Sequence, residues 1–277
     1  MQPASRAALA AAREQLDKRI SGASGQDRER VGEELGAVAA VLGEQPAIRR
    51  HLADSGVPEQ ARRKMVDALF GGKVSRITHR VLSDVVASRW SRSLDLVDGV
   101  EELAWQALLT FAERDGSLED VEDELFRFGR ILAAQPRLAT LLGDESVPAA
   151  RRLELLDTVL ADRTRPVTRR LLEQAVRAPR RRRLDEIVDV LVDRAAGRRQ
   201  RSVAHVSAAG PLSQQQEQRL IDVLNRIYRR SISLKVDIDP ELLGGLVIRV
   251  GDEVIDGSVA ARLVKARQWM SEMRQTA

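Results

Sequence analysis

Shifted by 90 residues, the chain aligns with itself without a gap, Leu42–Val100 lying over Leu132–Val190. Of those 59 pairs 17 are identical, and enough of the rest stay apolar to mark a duplicated domain rather than a local coincidence. Gln45-Pro46 falls on Gln135-Pro136, Val57-Pro58 on Val147-Pro148, and Asp67 on Asp157. Thr78-x-Arg80-x-Leu82 falls on Thr168-x-Arg170-x-Leu172, and Leu94-Asp95 on Leu184-Asp185. Met65/Leu155, Leu69/Val159, Phe70/Leu160 and Val97/Ile187 keep their apolar character. A short-period solenoid would show more copies, so the expectation is two copies of a domain near 100 residues long.

Each copy reads as a helical bundle. In the second, a first helix runs near Leu103 to Arg114, with Trp105 and Phe111 anchoring it. Ser117-x-x-Asp120 marks the next helix start, followed at helical spacing by Val121, Leu125, Phe128, Ile131 and Leu132. Pro136 breaks that helix, and a short one carrying Leu138, Leu141 and Leu142 follows. Pro148 suits the first turn of a helix carrying Leu153, Leu155, Leu156 and Leu160. Further helices span roughly 165–177 and 182–196, which makes about six per copy. The first copy repeats the order, opening on Ala4 to Ile20 with a glycine-containing link over 21–25.

Past Gly197 the period changes. Residues 201–208 read as a modest strand, and Ser213-x-x-Gln216 caps a helix carrying Leu220, Val223, Leu224 and Ile227. Ile232, Leu234, Val236 and Ile238 alternate with polar residues, as a half-buried strand requires, until Pro240 ends it. Gly244-Gly245 then leads into apolar runs Leu246 to Val250 and Val254 to Ile255, joined by Gly251-Asp252, a pair suited to a tight hairpin turn. Asp256-Gly257 closes the block, and 258–273 returns to helix. The resulting fold class is mainly α: two tandem six-helix-type bundles at 1–101 and 102–200, then a small α+β domain at 201–277.

Composition narrows the chemistry. Hydrophobic residues make up 43% but aromatics only 3%, so the cores are aliphatic and Trp90 and Trp269 read as packing residues. Without cysteine there are no disulfides or thiolate metal sites. No apolar run approaches the ~20 residues of a membrane span, and Met1 opens onto a polar, alanine-rich helical pattern without a leader. The expectation is a soluble protein that meets a membrane only through a partner. A net charge of +4 is too balanced to single out nucleic acid. His51, His79 and His205 lack ligand spacing, and Gly244-Gly245 lacks the Gly-Lys-Ser/Thr of a phosphate loop. Asp252, Glu253 and Asp256 are accounted for by a turn and a strand end, so no catalytic, metal or cofactor residue is assigned.

The block Gly244, Gly245, Arg249, Gly251, Asp252, Asp256, Gly257 and Ser258, followed by Val259, Ala260, Arg262 and Leu263, resembles the C-terminal signature of the delta subunit of F-type ATP synthases. The mitochondrial counterpart of that family is the oligomycin-sensitivity-conferring subunit. Residues from about 102 to 275 are similar to the whole family pattern, including Phe111-Ala112, the Ser213 helix and the strand ending at Asp239-Pro240. Residues 1–101 depart from it as an additional bundle. The resemblance implies a non-catalytic stator subunit at the cytoplasmic face of the cell membrane. Its bundle would grip the N-terminal helices of the alpha subunits, and its C-terminal domain would engage the b-type stalk. Rotor torque would thereby be resisted during proton-driven ATP synthesis. No cofactor, small-molecule substrate or nucleic acid is implied.

Two surfaces are candidates for those contacts. Leu108, Phe111 and Ala112, rimmed by the acidic block that begins at Glu113, form a strip suited to a partner helix, although a core role accounts for the same positions. Arg180, Arg181, Arg182 and Arg183 could meet an acidic partner, although Asp185, Glu186 and Asp189 follow at once. The alternative function is a nucleic-acid or regulatory adaptor that uses these arginines on phosphates. Against it, no aromatic residue is interleaved to stack on bases.

Overall fold

The computed structural model describes residues 1–161, 163–228, 232–240, 242–251 and 253–263. The chain divides into a first unit, Met1–Ala195, and a second, Ala196–Ala277. The first is helical throughout its regular structure: α1 (Pro3–Ile20), α2 (Gly25–Glu44), α3 (Pro46–Ala53), α4 (Glu59–Phe70), α5 (Arg76–Ala87), α6 (Ser93–Asp115), α7 (Leu118–Ala134), α8 (Pro136–Gly143), α9 (Ala149–Leu160), α10 (Pro166–Arg177) and α11 (Leu184–Ser202). The local chemistry explains most boundaries. Pro46 and Pro136 open α3 and α8, where a missing N–H costs nothing. Ser24 and Ser75 accept hydrogen bonds from the Asp27 and Thr78 amides and so cap α2 and α5. Gly116, at φ 77°, closes α6 in the left-handed conformation. Two sequence expectations shift slightly. Ser117 precedes α7 but its side chain makes no cap bond, because its backbone continues the turn at φ −97° and ψ 6°. Pro148 stands one residue ahead of α9 rather than in its first turn.

The larger correction concerns α6. Separate helices were expected to close the first copy and to open the second near Leu103. Nothing between Ser93 and Asp115 interrupts the helix: proline is absent, and Gly99 is held where the Trp90 ring lies against it. One continuous helix of 23 residues therefore serves both bundles. Leu96, Val97, Val100, Leu103 and Ala104 belong to the first core, and Trp105, Leu108, Leu109 and Ala112 to the second. Sharing explains why α6 is buried nearly all round, unlike an amphipathic surface helix.

The 90-residue correspondence extends to buried polar groups. Arg62 is buried and donates to the carbonyls of Val57, Val86 and Ser88. Arg152 does the same with Val147, Val176 and Arg177. A buried guanidinium is tolerated because its donors are spent on carbonyl groups at the ends of neighbouring helices. Likewise Glu34 accepts from Thr78 Oγ1 at 2.6 Å and the Ser75 amide at 2.9 Å. Glu124 accepts from Thr168 Oγ1 at 2.5 Å and the Arg165 amide at 2.9 Å. Burial of Glu34 opposes its charge, yet these donors hold its carboxyl below the usual value.

The bundles join where α2 meets α6 and α10. A side chain at Gly32 would collide with Leu108, its Cβ lying 2.6 Å from Leu108 Cγ. At Gly36 the obstacle would be Gln174. These glycines let the helices approach closely, and Gln174 Nε2 donates to the Gly32 carbonyl at 3.0 Å. Arg170 on α10 pairs with Glu29 at 3.4 Å and with Glu33, both on α2.

The second unit contains β1 (Val203–Ala208), α12 (Gln214–Tyr228), β2 (Ser233–Ile238), β3 (Leu246–Val250) and β4 (Glu253–Asp256). Strand order is β2-β1-β3-β4, with β1 parallel to β2 and the β1–β3 and β3–β4 pairs antiparallel. The expected capping box is present: the Gln216 amide donates to Ser213 Oγ and the Ser213 amide to Gln216 Oε1. Ala204, Val206, Leu224, Ile232, Ile248 and Val250 form the core of this unit. Residues 201–202, expected in the first strand, instead finish α11.

Substituting Gly32→Val should overpack the α2–α6 contact and cost about 2 kcal/mol, lowering the thermal midpoint. Gly22→Ala, where no neighbour lies within 4 Å, is the control and should be near neutral. Thermal melts of both variants check this.

Candidate functional site

The signature residues build a backbone clasp. Gly244 (φ 139°) and Gly245 (φ 85°) turn the chain into β3, and Gly251 (φ 60°) begins the hairpin turn to β4. Val250 pairs with Glu253 across that two-residue connection. At the open end of the hairpin the Gly257 amide donates to the Leu246 carbonyl and the Val259 amide to the Gly244 carbonyl, both at 2.9 Å. A Cβ on Gly245 would lie 2.5 Å from the Gly257 carbonyl oxygen, so only glycine fits. Ser258 is buried and its hydroxyl accepts from the Ala261 amide, starting the next helical turn, while its own amide donates to Asp256 Oδ1. Arg249 is exposed on β3, opposite His205 and Val254. Asp252 lies outside the described residues, as do Trp269 and the part of the expected C-terminal helix beyond 263.

The remaining carboxylates are similarly committed. Glu253 accepts from the Tyr228 hydroxyl at 2.8 Å, and His79 pairs with Asp67 at 2.8 Å. Among the described residues no three His, Asp or Glu side chains come together as a metal-holding group.

The helix strip on α6 lies inside the unit. Leu108 and Ala112 are fully buried, Glu113 is nearly so, and Phe111 is half-buried beside Gly25 of α2. The place pictured for a partner helix is thus covered by α2 of the same chain. Of the acidic block, Asp120 pairs with Arg165, Asp123 with Arg127, and Glu124 takes the Thr168 bond described above.

Two members of the arginine run also turn inward. Arg180 pairs with Asp98 at 2.8 Å and with Glu101, and Arg182 pairs with Glu101 at 2.7 Å. Arg183 pairs with Asp185 at 2.5 Å, and the Arg181 amide donates to Glu145. Arg180 and Arg181 both adopt positive φ, at 54° and 60°, which places the run against α6. Burial pushes the Glu101 carboxyl above its usual range, against the pull of the two arginines. Sequence reasoning overlooked Glu101, Gly32 and Gly36. Gly32-x-x-x-Gly36 on one helix face was a usable sign of close helix approach, whereas no local pattern pointed from Glu101 to a loop some 80 residues away.

The second unit offers a different kind of surface. Val223 and Ile227, one turn apart on α12, are exposed, as are Ile238, Leu243, Val259 and Leu263. Leu243 is 82% exposed, unusual for a large apolar residue in a unit this small.

Gly245→Ala should strain the clasp and destabilise the second unit by about 2 kcal/mol or more, read by hydrogen exchange on β3 and β4. Glu101→Ala leaves two cations facing an emptied pocket and should cost about 3 kcal/mol in chemical denaturation.

Comparison with known proteins adds three findings. The family model described as "ATP synthase delta (OSCP) subunit" matches residues 105–270, beginning inside α6. The ATP synthase subunit delta of Streptomyces griseus is 45% identical over 271 residues, covering 98% of this chain and 100% of the relative. Those of Frankia casuarinae and Acidothermus cellulolyticus are 46% and 43% identical over 276 and 270 residues, each covering 97% of this chain and 99% and 98% of the relative. These relatives therefore run through the first hundred residues, which the family model leaves out.

Proposed function

The chain belongs to the ATP synthase delta (OSCP) subunit family, a non-catalytic component of the peripheral stalk, and we propose that it ties the catalytic head to the b-type stalk. On this reading the helical bundles hold the N-terminal helices of the alpha subunits, and the second unit holds the b-type stalk. The head is then kept from turning with the rotor, so that shaft rotation works on the nucleotide sites. The chain works at the cytoplasmic face of the cell membrane, reached through its partners. Among the described residues no helix is long and apolar enough to cross a membrane.

The observation that carries the stalk assignment is the exposed apolar set Val223, Ile227, Leu243, Val259 and Leu263. Such a concentration suits an amphipathic helix laid into a hydrophobic surface. The clasp at 244–258 fits a supporting role, since its polar groups are spent on its own backbone turn. We further propose that residues 1–101 are a second copy of the bundle at 102–200, added ahead of the small domain at 201–277. The paired arginines Arg62 and Arg152 and the paired Glu–Thr bonds support that reading. Inward pairing of Arg180 and Arg182 leaves the nucleic-acid alternative without its main argument.

Truncation after Ser202 tests the division of labour. The helical bundles have cores distinct from that of the second unit, so they should stay folded by circular dichroism. Co-purification of the b-type subunit should fall to background, and a truncated chain that still retained the stalk would refute the assignment.

A further inference from the structure

One face of α2 fills the seat between α6 and α10, and α7 carries the corresponding face ninety residues later. Glu29 and Glu33, one turn apart on α2, receive Arg170 of α10, while Gly32 and Gly36 on the same side let the helices close. The register between α2 and α7 is fixed inside the bundles, where Val31, Glu34 and Leu35 correspond to Val121, Glu124 and Leu125. Glu34 and Glu124 each accept a bond from the matching threonine, Thr78 or Thr168. In that register Glu29 becomes Glu119 and Glu33 becomes Asp123, so the pair of acids persists, while Gly36 becomes Phe126. Residues 119, 123 and 126 share one side of a helix. On α7 that side faces solvent: Glu119 and Asp123 are exposed, and Phe126 is 54% exposed. The other three phenylalanines, Phe70, Phe111 and Phe128, are buried or half-buried. Asp123 pairs with Arg127, one turn further along α7, at 2.6 Å. An exposed pair at that spacing holds weakly and yields to a better-placed cation. Arg130, one turn beyond Phe126, is exposed and has no ion pair among the described residues.

We propose that the outer side of α7 docks a basic helix from another subunit of the complex. An arginine or lysine of that helix sits over Glu119 and Asp123 as Arg170 sits over Glu29 and Glu33, and a recess beside it takes the Phe126 ring. The inference rests on the reading that this chain works among the other subunits of a stator, and it adds a contact face to that reading. Phe126 changes the fit from that of α2. Glycine lets two helix backbones close, whereas a ring stands off the helix and needs small side chains opposite it. Charge steers the approach, and the ring supplies the buried apolar contact. Arg130 sets the orientation: the partner's cation lies toward the start of α7 and an acid lies over Arg130. A second copy of this chain is the nearest rival, since Arg80 on α5 is the counterpart of Arg170. It fits poorly. Phe126 would meet Asp84, the counterpart of Gln174, which is already paired with Arg19 at 2.6 Å and offers the ring no apolar recess.

Replacing Phe126 with the photoreactive p-benzoylphenylalanine keeps an aromatic side chain there and allows photolysis in the intact complex. The same residue placed at Val223 on the second unit serves as the control. The Phe126 probe should form an adduct with a lysine- or arginine-bearing helical segment of another subunit, identified by mass spectrometry. Its yield should drop about tenfold when Glu119→Arg and Asp123→Arg are combined, or at high salt, and survive Asp123→Glu. An adduct to this chain or a second copy of it, no adduct while Val223 still reports a stalk subunit, or a yield indifferent to the charge reversal would each overturn the proposal. Loss of adducts at both positions would overturn the stator reading beneath it as well.

Discussion

Everything in the first unit depends on how closely α2 can approach α6. Two glycines on one face of α2 allow it, and one unbroken helix carries the apolar residues of both bundles. Had a proline or a second glycine fallen near Leu103, the two copies would have had separate terminal helices and a conventional linker. Instead the end of one core is the beginning of the next, and displacing α6 would disturb both. The ion pairs at the junction add orientation more than strength: Arg170, Arg180 and Arg182 bring their charges to acids on the facing helices.

That arrangement bears on the stator role. On the proposed linking role, a connector benefits from joints without slack, and a shared helix is stiffer than a flexible loop. Buried arginines such as Arg62 and Arg152 contribute in the same sense, since each ties one side chain to carbonyls from different segments. The second unit works differently. Its core is small, its signature residues are consumed in a backbone clasp, and apolar side chains remain on its surface. One unit is organised around internal closure, and the other around an exposed apolar surface.

Much of this was legible in the residue order. Proline positions marked α3 and α8, alternation marked β2, and glycine pairs bracketed the β3–β4 hairpin. The Leu108–Ala112 strip shows where such reading stops. Apolar periodicity says that a helix face is covered, but a partner's helix and the chain's own helix demand the same residues. The arginine run has the same ambiguity, since clustered charge looks alike whether it faces solvent or a buried Glu101 in the other bundle.

Taken alone, the sequence determined the 90-residue internal correspondence, the mainly helical class, the small mixed unit at the end and the signature that identifies the family. Those properties are written in local periodicity, in backbone requirements at glycine and proline, and in one fixed offset. Only the tertiary structure decided that the copies share α6, that α2 fills the seat on the second bundle, and that Arg180 and Arg182 turn inward. The reason is physical: the last two outcomes turn on contacts between segments some 80 to 140 residues apart, where steric fit and charge pairing select the neighbour and no sequence period records the choice.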